Sequence, residues 1–309
     1  MFAVVVGCGT LAPKSALVRP AGEPGVGQQQ FDTDDQAATA LVAAAKARDH
    51  DAIRHIFGPS VTEFISSDKV EDERAFDHFV KKVNDRIELE KKDAKTSVID
   101  IGKDKWPFPI PLTRLASGKW FFDTEAGKEE ILVRRIGANE LETIHVCRAY
   151  LTAQRAYASV ERDGRGVLKY AQHFISKNGK DGLYWDVKPG EEESPFGPFV
   201  AQATLEGYTP GKNGCTGLKP YHGYVYRILT HQGPSTPGGE YDYVIHGNMI
   251  AGFAMVACPT EYGISGVMTF IVSHHGKVYQ KDFGADTLDT VRSMKAYNTD
   301  SSWTLVTDE

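Results

Sequence analysis

The sequence predicts an α+β protein in which helices and antiparallel sheet occupy separate runs. Two observations carry that reading. Apolar residues recur at helical spacing in the early part of the chain and again over 129–160, and each helical stretch gives way to several short apolar runs bounded by Gly, Pro, Ser or Asn. Thirty Gly, 15 Pro and 13 Tyr among 309 residues supply turns and sheet formers to match. At this length two domains of about 150 residues each are expected.

Residues 1–30 carry Pro, Gly and Gln without periodicity and read as a flexible leader. An N-terminal α+β domain is expected over 31–140. In it Ala38, Leu41, Val42 and Ala45 set a helix within Asp32–Phe57, with Asp32 or Thr33 as its N-cap. Asp49-His50-Asp51 interrupts that helix and Gly58-Pro59 stops it. A third helix is expected over Asp72–Leu89, with Phe76, Phe79, Val80 and Val83 on one face. Strands follow at Thr96–Ile101, Pro111–Ala116 and Lys119–Phe122, the last two joined by Ser117-Gly118.

A C-terminal α+β domain is expected over 141–309. Glu129–Val160 reads as one long helix or a kinked pair, whose stripe holds Ile144, Cys147, Leu151 and Ala158, flanked by Tyr150, Ala153 and Tyr157. Beyond it lie strands at Gly223–Thr230, Tyr241–His246, Gly252–Ala257, Val267–Ser273 and Lys277–Gln280, with His274-His275-Gly276 as a tight turn. Helices followed by antiparallel sheet in the first half resemble nuclear transport factor 2 folds. The long helix and meander of the second half resemble a pilin globular head, through Tyr221–Tyr224, Ala257-Cys258-Pro259 and Gly266–Phe270.

Lys and Arg number 35 against 41 Asp and Glu, a net charge of −6, which argues against a general nucleic-acid binder. Nothing approaches the roughly 18 uninterrupted apolar residues of a membrane-spanning helix. Val5-Val6-Gly7-Cys8 has the form of a lipoprotein processing box, so a lipid anchor at Cys8 and a periplasmic or outer-membrane location are expected. No C-x-x-C occurs, which excludes a zinc ribbon. Cys147 reads as a buried small hydrophobe, and pairing of Cys215 with Cys258 is left open.

Several segments together carry a resemblance over about residues 30 to 305. They are Trp106–Pro111, Arg134–Leu141, Asp181–Trp185, Glu192–Pro198, Gly238–Tyr243 and Tyr262–Phe270. The chain resembles the bacterial family named domain of unknown function 2950. That resemblance implies export, and through one association it implies calcium-assisted hydrolysis of N-acyl-homoserine lactones, that is, quorum quenching.

A lactonase must attack an ester carbonyl and stabilise the oxyanion. No G-x-S-x-G elbow and no H-x-H-x-D-H metal cluster is present. A triad drawn from Ser194, Ser265, His222, His246, Asp242 and Glu261 stays open. Strand alternation places Glu240, Asp242 and His246 on one face of the Gly238–His246 segment, an acid–acid–base set for catalysis, against a plain polar outer face. Tyr184, Trp185, Phe196 and Phe199 form an aromatic run suited to an acyl chain, or equally to a core lid. Asp282, Asp286 and Asp289 are the expected calcium ligands, three carboxylates close in sequence, although Asp286 also serves as an N-cap for a helix over Thr287–Tyr297. A small acyl-lactone is the substrate expected of the hydrolase; the surviving alternative is a non-catalytic envelope module whose pilin-like head binds a protein partner, peptide or glycan through its Tyr- and Gly-rich loops.

Overall fold

The computed structural model describes residues 21–188, 190–208 and 220–307. Helices and antiparallel sheets dominate, so the α+β class holds. The chain divides into two compact units, whose described residues are 21–63 with 79–131, and 64–78 with 132–307. Two helices contribute residues to both units.

In the first unit the helix over Asp32–Phe57 is split as anticipated. α1 spans Asp34–Ala47 and is capped by Thr33, whose hydroxyl oxygen accepts the Gln36 N–H at 3.1 Å. α2 spans His50–Phe57, with Asp49 accepting from the N–H groups of Asp51 and Ala52. The next helix, α3, spans Lys69–Asp85 and contributes Phe79–Asp85 here. It stops short of the expected Leu89 because Ile87–Lys91 alternates apolar and acidic residues and forms strand β1.

β1 pairs along its whole length with β2, Thr96–Ile101, in antiparallel register from Ile87↔Ile101 to Lys91↔Ser97. β3 (Trp106–Pro107), β4 (Leu112–Arg114) and β5 (Trp120–Phe122) complete the sheet, in the order β1-β2-β4-β5 with β3 beside β2. Ile99, Ile101, Leu112, Phe121 and Phe122 form its core with Leu41, Ile56 and Phe57. Residues 21–30, expected to be flexible leader, are tied in. Gln28 is buried and donates to the carbonyls of Ile56 and Phe122 at 3.0 and 2.7 Å, and the Gly22 N–H reaches Asp123 Oδ2 at 2.7 Å.

The long helix, α4, runs Thr124–Ala158. In the second unit it buries Val146, Cys147, Tyr150, Leu151, Ala153 and Tyr157 against a five-stranded sheet, much as the apolar stripe predicts. A short parallel pair comes next, β6 (His173–Ile175) and β7 (Gly182–Tyr184), then helix α5, Gly197–Leu205. β8 (Tyr224–Leu229) opens the main sheet. The small strands β9 (His231–Gln232), β10 (Tyr241–Asp242), β11 (Val244–Ile245) and β12 (Asn248–Met249) follow. The sheet then continues through β13 (Ala254–Pro259), β14 (Met268–Ser273) and β15 (Val278–Asp282). α6 (Thr287–Ser293), β16 (Ala296–Tyr297) and β17 (Thr304–Leu305) end the unit.

The sheet order is β17-β15-β14-β13-β8, antiparallel throughout. β13 is buried at all six positions because helices cover both faces: Tyr150 of α4 donates to the Ala254 carbonyl at 3.2 Å, and α6 packs on the strand as well. Two expectations fail locally. Tyr241–His246 is not one strand: at Tyr243 the pairing passes from β9 to β12, its N–H donating to the Thr230 carbonyl beside β9 and its carbonyl accepting the Ile250 N–H beside β12, and His246-Gly247, both at positive φ, turn the chain between β11 and β12. The last helix ends at Ser293 rather than Tyr297, since Ala296–Tyr297 pairs in parallel with β9.

Candidate functional site

A cavity of about 530 Å³ lies within the second unit, in the range of about 300–1,000 Å³ usual for small-molecule sites. One wall is the start of α3 and the residues before it. There Asp68 acts as helix cap, its Oδ1 accepting the Glu71 N–H at 3.1 Å, so that Asp68 and Glu71 stand at the ends of a D-x-x-E capping pattern. Asp68 Oδ2 accepts the Tyr208 hydroxyl at 2.9 Å and the Gly223 N–H at 3.0 Å. The second wall is α5 with the residues on either side of it. Phe196 stacks on Phe199 with ring centroids 4.6 Å apart, and Phe199 meets Tyr221 edge-on at 5.2 Å. Phe174, Tyr184 and Tyr226 complete an interior that is aromatic and aliphatic.

Tyr208 and Tyr221 bring hydroxyls to this interior. Burial, with added repulsion from the nearby carboxylates, pushes both phenols well above their ordinary value. They remain neutral donors, Tyr208 to Asp68 and Tyr221 to Glu206 at 3.3 Å. Lys69 is the cationic side chain among the lining residues, and it is exposed.

Behind the two tyrosines sits His222. Its Nδ1 is 3.1 Å from Glu71 Oε2 and its Nε2 is 3.0 Å from Glu206 Oε2. Arg74 Nη1 lies 3.0 Å from the same Glu71 oxygen and 3.6 Å from Glu206 Oε2. His222 has φ 47°, a left-handed conformation uncommon outside Gly. The conformation is held by its N–H bond to Tyr208 Oη at 3.2 Å and by Gly223, also at positive φ. A Cβ on Gly223 would stand 2.7 Å from Ser265 Cβ and 2.8 Å from Asn139 Nδ2, so only Gly fits there.

Of the four predicted aromatic residues, Tyr184, Phe196 and Phe199 line the cavity. Trp185 does not. It is buried, donates from Nε1 to the Glu192 carbonyl, and lies under Lys180 and Arg162 at 5.1 and 5.7 Å. The predicted acid–acid–base set is not a face. Glu240, Asp242 and His246 are all exposed; Asp242 pairs with His231 at 2.7 Å, while His246 stands in the β11–β12 turn. None of the three lines the cavity.

The serines considered for a triad have structural partners. Ser265 Oγ donates to the Glu261 carbonyl and accepts the Glu261 N–H, and Ser194 is buried beside the start of α5. Burial pushes the Cys147 and Cys258 thiols up to about 12, so neither is a thiolate near neutral pH. Cys258 is a free thiol; Cys215 and the processing-box residue Cys8 lie outside the described residues.

The three expected calcium ligands are engaged separately. Asp282 accepts the Gly284 N–H at 2.7 Å and the Tyr262 hydroxyl at 3.2 Å, and Asp289 pairs with Arg292. Asp286 occupies the N-cap position of α6 without making a side-chain cap bond. Among the described residues, no group of three His, Cys, Asp or Glu side chains is arranged to hold a metal ion. Among them too, no helix is long and apolar enough to cross a membrane.

A family model matches residues 28–306, nearly the whole chain. The chain belongs to that family, described as Protein of unknown function (DUF2950). The match agrees with the resemblance read from the segments over residues 30 to 305. No curated protein and no solved structure matches this DUF2950 chain. His222 was visible in sequence only as one of several histidines, because its carboxylate partners come from distant positions, Glu71 on α3 and Glu206 after α5.

Proposed function

We propose that the second unit is a binding module for a small ligand with a largely apolar body, such as an acyl chain, held in the cavity beside α5. Helix α5 carries this reading. It is a nine-residue helix with no buried residue, yet Phe199, Val200 and Ala203 line the cavity. A helix this short is not stable in water by propensity alone and depends on covering an apolar side. Phe199 and Val200 are packed only in part against the core, and a ligand body in the cavity would cover the rest of that apolar side.

The non-catalytic module expected from the sequence is the setting for this reading, and the long α4 laid on an antiparallel sheet supports its pilin-like form. Hydrolysis of an N-acyl-homoserine lactone would use the same acyl pocket, but would also need a nucleophile or activated water beside the ring. The structural bonding of Ser265 and the buried thiols favour binding over that chemistry.

The test is calorimetric titration of the full chain with N-acyl-homoserine lactones of increasing chain length, with ring opening followed by mass spectrometry. Burial of each added methylene is worth about 0.8 kcal/mol, so affinity should rise about fourfold per CH₂ until the cavity is full. The lactone ring should stay closed. Affinity independent of chain length would reject the binding reading, and enzymatic ring opening would favour hydrolysis.

A further inference from the structure

We propose that His222 is a pH-dependent latch on this cavity: as imidazolium it ties Glu71 on α3 to Glu206 at the end of α5, and as neutral imidazole it lets α5 open. The proposal rests on the binding reading for what the latch retains, and on separate geometry for the latch itself.

The two carboxylates belong to opposite walls. Glu71 follows Lys69 and Val70, which line the cavity from α3, and Glu206 is the C-cap residue of α5, whose Val200 and Ala203 line it from the other side. His222 stands between them with a carboxylate oxygen at 3.0–3.1 Å from each ring nitrogen. Only the imidazolium donates from both nitrogens. A neutral ring keeps one N–H and turns a lone pair toward the other carboxylate, which converts one of the two ties into repulsion. The ring itself is fixed, since the backbone N–H groups of His222 and Gly223 are held by Tyr208 and Asp68. A cation at the C-terminal end of α5 also complements the helix dipole, where Glu206 alone opposes it.

Every charged group facing the ring bears on the sign. Glu71 and Arg74 face it from α3, Glu206 from the end of α5, and Glu142 of α4 adds negative potential. Asp68 is occupied by its three donors, and Tyr208 and Tyr221 stay neutral. Burial would lower the His222 pKa, but the bonds and charges of Glu71, Glu206 and Glu142 together hold it above the ordinary imidazole value. In an opened α5 the ring would regain that ordinary value. The closed form is therefore fully favoured below the ordinary value and loses its advantage as pH rises through the raised one, tenfold in the closed-to-open ratio for each unit between them. Arg74 Nη1, 3.4 Å from His222 Nε2, keeps its contacts with Glu71 and Glu206 when the ring is neutral, so loss of the proton weakens the tie between α3 and α5 without removing it, and opening is a shift in population.

The experiment uses the full chain, its His222→Gln variant and, as a second probe that keeps the histidine, Glu206→Gln. N-phenyl-1-naphthylamine, an uncharged apolar fluorophore, is titrated from about pH 5 to about pH 9, across the imidazole range. In parallel, hydrogen exchange of the α5 amides is measured and corrected for the intrinsic rate. The latch predicts that wild-type probe affinity and α5 protection fall together as pH rises, while both variants give weaker, flatter profiles. A wild-type α5 whose protection does not change across the histidine range overturns the latch. So does a His222→Gln profile that superimposes on wild type. If the probe fails to bind at every pH while α5 protection still falls with pH, the latch is supported and the ligand reading is the one rejected.

Discussion

Gln154 and Ala171 exchange two hydrogen bonds: the amide nitrogen of Gln154 donates to the Ala171 carbonyl at 2.8 Å, and its amide oxygen accepts the Ala171 N–H at 2.9 Å. Both residues are buried, so α4 satisfies the backbone of the chain arriving from its own C-terminal end. Gln154→Leu keeps the volume and leaves a buried donor and a buried acceptor without partners. Each such group costs about 1–3 kcal/mol. Urea unfolding should show a loss of about 3 kcal/mol.

Glu140 makes a second clasp between α4 and the sheet. One carboxylate oxygen accepts the N–H groups of Val267 and Met268, each at 2.9 Å, where the chain enters β14. Hydrogen bonds to a charged acceptor contribute about 1.5–3 kcal/mol each. Glu140→Ala should destabilise the second unit by at least about 2 kcal/mol in chemical denaturation. Glu140→Gln retains an oxygen in place and should lose less than half of that.

Asp68 joins three elements, capping α3 while accepting from Tyr208 and Gly223. Loss of a helix cap alone costs about 0.5–2 kcal/mol. Asp68→Ala should exceed that range in urea unfolding, because two further buried donors lose their acceptor. Asp68→Ser restores the cap and little else, so it should recover only the capping part.

The same region should shape stability against pH. Burial alone would raise the carboxyls of Glu71 and Glu206, but for Glu71 the bond to His222 and the nearby positive charge, and for Glu206 the bond from Gln202 first and then His222 and Arg74, hold both below the ordinary value. Their contribution is present above the ordinary carboxyl value and is lost as pH falls through the lowered one. That of His222 is present below the ordinary imidazole value and is lost as pH rises through its raised one. The stability difference between wild type and His222→Gln, from urea unfolding over a pH series, should form a plateau between those limits and shrink on both sides. A difference that grows toward alkaline pH would contradict the charge assignment.

The sequence announces the elements whose burial is local and periodic. The stripe of α4 reads correctly because Cys147, Tyr150, Leu151 and Tyr157 face one sheet for several turns. The aromatic run supplied Tyr184, Phe196 and Phe199, since large apolar residues close in sequence fold into the same interior. The helix expected over Asp72–Leu89 runs too far because Ile87 follows Val83 at the helical spacing of four; pairing with Thr96–Ile101 makes Ile87–Lys91 a strand. The Glu240, Asp242 and His246 face vanished for the opposite reason. Its period-two pattern was genuine, but Tyr243 and the His246-Gly247 turn break the strand. The His222 cluster is assembled by long-range contact of Glu71 and Arg74 with Glu206 and His222, which no local spacing encodes.

The central claim is that the cavity beside α5 takes an apolar ligand. Ala203 lines it from the last turn of α5, and Ala203→Trp would fill the space from a helical position that tolerates the change. The direct measurement is saturation binding of N-phenyl-1-naphthylamine to wild type and to Ala203→Trp, with matching far-UV circular dichroism. The cavity account predicts one saturable site in wild type and at least about tenfold weaker binding in the variant, a difference of about 1.4 kcal/mol. Equal affinity in the two proteins, or no saturable binding to wild type, would contradict it.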